Sequence, residues 1–189
     1  MRSFISIELP EKVRSDLSEV EKRLKKTKAD FRWVKPDNIH LTLKFLGEIK
    51  EESIGEIINV MRRTCSHCNS FNLELEGVGL FPNLKYPRVL WVGIKDNPLL
   101  TDLQTKIEDG MVSLGFKKDN KKFKAHLTLG RFRSSTGKED LMKAIEPHKK
   151  NSFGLTNVKY ISLMKSDLSP FGARYTTVSE VPLKIPGDD

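Results

Sequence analysis

The chain has 189 residues, with 33 Lys and Arg against 25 Asp and Glu, for a formal charge of +8. That length suits one folded unit, or two small lobes sharing a continuous body, and can bury a core without disulfides. No apolar run approaches the roughly 20 residues of a membrane-spanning helix, and 38% hydrophobic with 31% charged residues excludes a disordered chain.

In chain order, Phe4–Leu9 reads as a strand with Ile5, Ile7 and Leu9 on one face. Its apolar stretch is too short for a secretory signal and runs into Glu8, so a cytoplasmic protein is expected. Pro10 opens a helix carrying Val13, Leu17, Val20 and Leu24 at helical spacing. A short strand at residues 31–34 is closed by the turn Lys35-Pro36-Asp37-Asn38. Residues 40–46 alternate as a strand, and Ile54, Ile57, Ile58 and Met61 mark a second helix.

Phe71, Leu73 and Leu75 give the clearest half-buried strand, and 89–94 is apolar enough for a central one. The third helix is capped by Asn97, starts at Pro98, carries Leu103, Ile107, Met111 and Leu114, and ends at Gly115. A strand at 125–131, a helix at 138–146 stopped by Pro147, and late strands at 158–164 and 174–181 complete the chain. No linker or composition break divides it, so residues 1–189 are expected to form a single two-lobed domain. The mixture predicts an α+β fold with antiparallel sheets.

The only cysteines, Cys65 and Cys68, lack both a thioredoxin-like setting and a second ligand pair. They are expected to be ordinary reduced thiols at a helix end. The excess of positive charge favours anionic partners. It is densest at Lys117, Lys118, Lys121, Lys122 and Lys124, just before His126.

One echo carries the chemistry. His40-Leu41-Thr42-Leu43 recurs half a chain later as His126-Leu127-Thr128-Leu129, each copy on a predicted strand followed by a helix. On a strand, residues two apart share a face. His and Thr therefore look one way while the leucines anchor the other way in the core. If the strands meet across a groove, one phosphate could touch two imidazoles and two hydroxyls.

Histidine's ordinary pKa, near 6.5, lets one ring be neutral and one protonated at once, as general base and general acid. Threonine hydroxyls can donate to the nonbridging oxygens as charge builds there. Five residues after each histidine stand Phe45 and Arg131. Strict alternation sends both to the core, which suits Phe45 but not an arginine. A bulge at Gly130 is expected to turn Arg131 toward the phosphate. His67 and His148 lack such partners and read as surface residues.

With these motifs the chain resembles the two-histidine phosphoesterase superfamily. Within it, it is similar to the RNA 2′,3′-cyclic phosphodiesterases, also called 2′-5′ RNA ligases. The likeness also rests on residues 2–10, His40–Gly47, Pro87–Gly93, His126–Arg131 and Gly172-Ala-Arg-Tyr175. It implies a bilobal fold with two antiparallel sheets around a central cleft, helices outside and an internal pseudo-two-fold duplication.

It also implies metal-independent, cofactor-free hydrolysis of a terminal 2′,3′-cyclic phosphate to a 2′-phosphate on RNA, tRNA fragments being one possible source. The expected protein is a monomer. By position, His40 is then the proton donor and His126 the base. Thr42, Thr128 and Arg131 hold the phosphate, and Phe45 lines the cleft. The residues themselves do not distinguish donor from base. Joining of RNA ends is expected as a reverse side reaction, since no nucleotide-binding Gly-rich loop is present. The competing readings are a non-catalytic RNA-binding domain, a metal enzyme using both histidines as ligands, and the same chemistry on a small cyclic nucleotide.

Overall fold

The computed structural model describes residues 1–170 and 172–185. The elements are β1 (Arg2–Glu8), α1 (Glu11–Leu24), β2 (Phe31–Trp33), β3 (His40–Glu48), α2 (Ile54–Cys65), β4 (Phe71–Phe81), β5 (Val89–Ile94), α3 (Pro98–Ser113), β6 (His126–Phe132), α4 (Lys138–Ile145), β7 (Ser152–Val158), β8 (Tyr160–Ser169) and β9 (Gly172–Pro182).

The strands run in the order β7-β4-β5-β6-β3-β1-β8-β9, with β2 added against β6, and every pairing is antiparallel. The two sheets expected from the sequence are the halves of this order. They are joined at their centre by one ladder pair among the described residues, Leu41↔Leu127. The strands keep contact there because both leucines are buried, at 1% and 0% exposure, in one continuous core.

The halves are built alike. Each has a β-α-β unit, β1-α1-β3 or β5-α3-β6, in which the two strands pair directly. Helices α2 and α3 pack on each other, as do α1 and α4. Where α2 crosses α3, a Cβ on Gly110 would come within 2.5 Å of a Val60 methyl, so a larger residue there would force Val60 or the helices to shift. Asn97 caps α3 as expected, its side chain accepting from the backbone N–H of Leu99 and Leu100. Such a cap is worth about 1 kcal/mol.

One expectation needs correcting. The late strand expected at 158–164 is β8, which begins at Tyr160, and it is preceded by a strand the sequence did not indicate, β7, ending at Val158. Gly154, at φ +103°, breaks the alternation of β7, leaving Phe153, Thr156 and Val158 inward and Leu155 outside. A period of two is not legible across such a kink. Cys65 and Cys68 are buried and unpaired at the end of α2, and burial pushes the Cys65 thiol up to about 12.

Candidate active site

The antiparallel pairing of Leu41 with Leu127 fixes the site. With those leucines in the core, their neighbours His40, Thr42, His126 and Thr128 must emerge on the opposite face, beside one another across two adjacent strands. All four are half-buried. Thus the two copies of the motif, far apart in sequence, meet on one surface.

Each ring is held in the same way. His40 Nδ1 lies 2.8 Å from the Asn38 carbonyl, and His126 Nδ1 lies 2.6 Å from the Lys124 carbonyl. A carbonyl oxygen only accepts, so each Nδ1 carries the hydrogen, and Nε2 is left as the nitrogen available for proton transfer. The neutral rings therefore share one tautomer.

Burial lowers the His40 pKa below its usual value. The bond to Asn38 and the nearby Glu8 carboxylate oppose that shift, and His126 adds to it. The rings are thus close enough to sense each other's charge. Burial also lowers the His126 pKa, against its bond to Lys124, with Arg131 lowering it further. Neither Thr42 nor Thr128 has its hydroxyl engaged by another protein group among the described residues.

Arg131 points outward as the sequence suggested, but the extra residue that turns it is Leu129 and not Gly130. Between β5 and β6 the register shifts so that Leu129 is extra, and alternation restarts beyond it. Gly130 is then inward, and a Cβ there would come within 2.2 Å of the Phe31 ring and 2.6 Å of the Arg32 carbonyl. Arg131 turns outward and is exposed.

Phe45 does not take the core position that strict alternation alone gives it. The register between β1 and β3 shifts at Leu43, the position equivalent to Leu129. The next inward residue is therefore Lys44, and Phe45 is 65% exposed on the histidine face, its ring 6.1 Å from that of Phe4. Lys44 itself is 1% exposed and anchored to Glu108 at 2.7 Å, the Lys117 carbonyl at 2.8 Å and Asp119 at 3.4 Å.

The aromatic walls were not recognised from sequence. Phe4 stacks on His40 with centroids 4.7 Å apart, and Tyr175 sets its ring edge-on to His40 at 5.1 Å. Phe81 meets His126 edge-on at 4.9 Å and stacks on Trp91. Phe4 lies two residues from the buried Ser6 on a strand that is buried on both faces. A strand lined on both sides is either central or faces a pocket.

Of the basic segment before His126, Lys124 reaches the site, with Nζ 5.8 Å from the Phe81 ring centroid. Lys117 turns its carbonyl to Lys44, and Lys118 leans toward Asp109. His67 is exposed and His148 half-buried, both away from the motif face. Among the described residues no three His, Cys, Asp or Glu side chains are grouped as a metal site would be. No helix of the described residues is long and apolar enough to cross a membrane.

Two imidazoles and two free hydroxyls on paired strands, duplicated about one centre, define a class, that of the two-histidine phosphoesterases. The family model for LigT-like phosphoesterases matches the chain twice in succession, over residues 7–91 and 92–175, and the chain belongs to that family. Each match contains one copy of the motif, His40 to Thr42 in the first and His126 to Thr128 in the second.

Among proteins, the chain is 33% identical over 176 residues to the RNA 2′,3′-cyclic phosphodiesterase of Methanothermobacter thermautotrophicus, covering 93% of this chain and 95% of the relative. It is 34% identical to the protein of the same name from Methanocaldococcus jannaschii, covering 95% and 99%. Among solved structures, TT0787 of Thermus thermophilus superposes with a TM-score of 0.83 at 28% identity, covering 98% and 100%. E. coli LigT complexed with 3′-AMP gives 0.79 at 26% identity, covering 97% and 98%.

Proposed function

We propose that the protein is an RNA 2′,3′-cyclic phosphodiesterase, opening a terminal cyclic phosphate to a 2′-phosphate, with residues 1–189 acting as one two-lobed unit. The observation that carries this reading is the pair of identically anchored imidazoles on neighbouring strands, each with Nδ1 tied to a carbonyl.

In this reading His126 Nε2 accepts a proton from water as its oxygen bonds to phosphorus. His40 Nε2 gives its proton to the departing 3′ oxygen as the P–O3′ bond breaks. One proton enters the pair and one leaves, so the pair ends with its net protonation unchanged. The charge environment supports this assignment of roles. Glu8, the cross-strand partner of His40, favours a protonated ring there, whereas Arg131 favours a neutral His126.

Thr42, Thr128 and Arg131 hold the nonbridging oxygens, where charge-assisted bonds count most. Phe45 borders the cleft on the His40 side. With a 5′ hydroxyl in place of water, the same groups join ends through a 2′-5′ bond, as the 5′ oxygen bonds to phosphorus and the P–O3′ bond breaks, a minor activity. The protein works as a monomer in the cytoplasm on RNA fragments, tRNA halves among them, a setting that suits its two reduced thiols.

The test is product analysis on an oligonucleotide ending in a 2′,3′-cyclic phosphate, in excess chelator. The expected product is the 2′-phosphate at full rate. A 3′-phosphate, or loss of turnover with chelator, refutes the mechanism.

A further inference from the structure

Strand β2 brings a second guanidinium to this face. Arg32 and Arg131 are direct cross-strand partners, so both side chains leave the sheet on the same side, and both are exposed. Like charges placed opposite one another work against folding. Neither arginine has a carboxylate within ion-pair distance among the described residues. An uncompensated pair of this kind is a natural site for a ligand's negative charge.

The surroundings say where that charge would lie. Phe81 pairs with Val89, Val89 with Arg131 and Arg131 with Arg32, giving one row across four strands on the face that holds His126. At the far end of the row Arg32 crosses to the other lobe. A Cβ on Gly172 would lie 3.6 Å from Arg32 Nη2, three residues before the Tyr175 that flanks His40. Nearby, Asn38 Nδ2 donates to the Ala173 carbonyl at 2.8 Å, which fixes the chain between β2 and β3 against the start of β9. The Arg32 tip therefore stands at the rim between the lobes, while Arg131 sits beside His126.

We propose that Arg32 binds the phosphodiester immediately upstream of the terminal cyclic phosphate, making the site selective for a polynucleotide end over a cyclic mononucleotide. The inference rests on the phosphodiesterase reading above. Neighbouring strands are about 4.8 Å apart, so the two guanidiniums meet successive anions along one strand, each with a planar fork suited to phosphate. A mononucleoside cyclic phosphate carries one anion and leaves Arg32 unpaired.

The experiment compares kcat/KM for a cyclic-ended oligonucleotide and for a mononucleoside 2′,3′-cyclic phosphate in wild type, Arg32→Ala and Arg32→Lys. In parallel, equilibrium binding of a 2′-phosphate-ended oligonucleotide is followed as a function of salt. The expected result for Arg32→Ala is a fall on the order of tenfold in preference for the oligonucleotide, carried by KM, the scale of one charged hydrogen bond. The binding slope against log salt should lessen by about 0.7, one phosphate contact on a single strand. Arg32→Lys should restore the slope but only part of the preference.

Equal loss on both substrates, or no change in the ratio, overturns the proposal. A lowered Tm with equal loss would assign Arg32 to the fold instead. If wild type opens neither cyclic phosphate, the phosphodiesterase reading fails. The salt slope then still decides whether Arg32 contacts a nucleic-acid phosphate.

Discussion

The two motif strands, β3 and β6, make a controlled comparison within one molecule. They share four letters, a bulge at the third residue after histidine, and a carbonyl two residues before it that holds Nδ1. They differ in the two residues beyond the bulge. β3 continues with Lys44 and Phe45, one buried in an ion cluster and one exposed. β6 continues with Gly130 and Arg131, one pressed under β2 and one beside His126. Duplication supplied the geometry twice, and divergence after the bulge made the charge unequal. A two-proton reaction needs both: matched rings, and a bias as to which holds the proton.

The shared half of the comparison predicts the largest effects. His40→Ala and His126→Ala should each lower kcat on cyclic-ended RNA by on the order of 10²–10⁴. The double variant should be little worse than either, because in the proposed mechanism the two rings act as a unit. Wild-type turnover by either single variant would break the symmetry of roles. The divergent half predicts losses of stability. Lys44→Met strands Glu108 as an uncompensated buried charge and should cost about 3–5 kcal/mol in denaturant unfolding. At the equivalent position of the other strand, Gly130→Ala drives a methyl into Phe31 and the Arg32 carbonyl. That overpacking should cost about 1–3 kcal/mol. If Gly130→Ala proved the more damaging of the two, the contrast between a buried ion cluster and a tight backbone approach would be inverted.

Most of the fold was legible because its signals are local. The Asn97-Pro98 cap of α3, the alternation of β4 and the repeated motif need only neighbours in sequence to be read. The bulge before Arg131 could be inferred because an arginine in a core is an evident contradiction. The equal bulge before Phe45 was hidden, since a phenylalanine fits a core as well as a cleft. Lys44 was overlooked for a related reason. A lysine between two apolar residues looks like a solvent-facing position until α3 and residues 117–119 are folded around it. The aromatic walls join residues as distant as Phe4 and Tyr175, and β2 crosses from one half to pair with a strand of the other. Such placements are tertiary and carry no periodicity.

The smallest effect is also the sharpest test of unequal charge. Both histidines titrate below their usual 6.5, chiefly through burial. The singly protonated pair is therefore most populated below that pH, and kcat/KM for the wild type should peak there and decline on the alkaline side as the pair loses its proton. The two limbs belong to the pair and not to named residues. Arg131→Ala removes a positive neighbour from His126, so the His126 pKa should rise and the profile should move toward higher pH, at a lower peak because the proposed phosphate contact is lost. Glu8→Gln removes a carboxylate that favours protonated His40, so the His40 pKa should fall and the profile should move toward lower pH. NMR titration of the free variants at low salt reads both shifts directly, and added salt should shrink them. If the two halves are electrostatically distinct, Arg131→Ala must move chiefly the His126 titration and Glu8→Gln chiefly that of His40. Equal movement of both rings in each variant would mean that the rings share one environment, and that the donor and base roles are not set by what surrounds them.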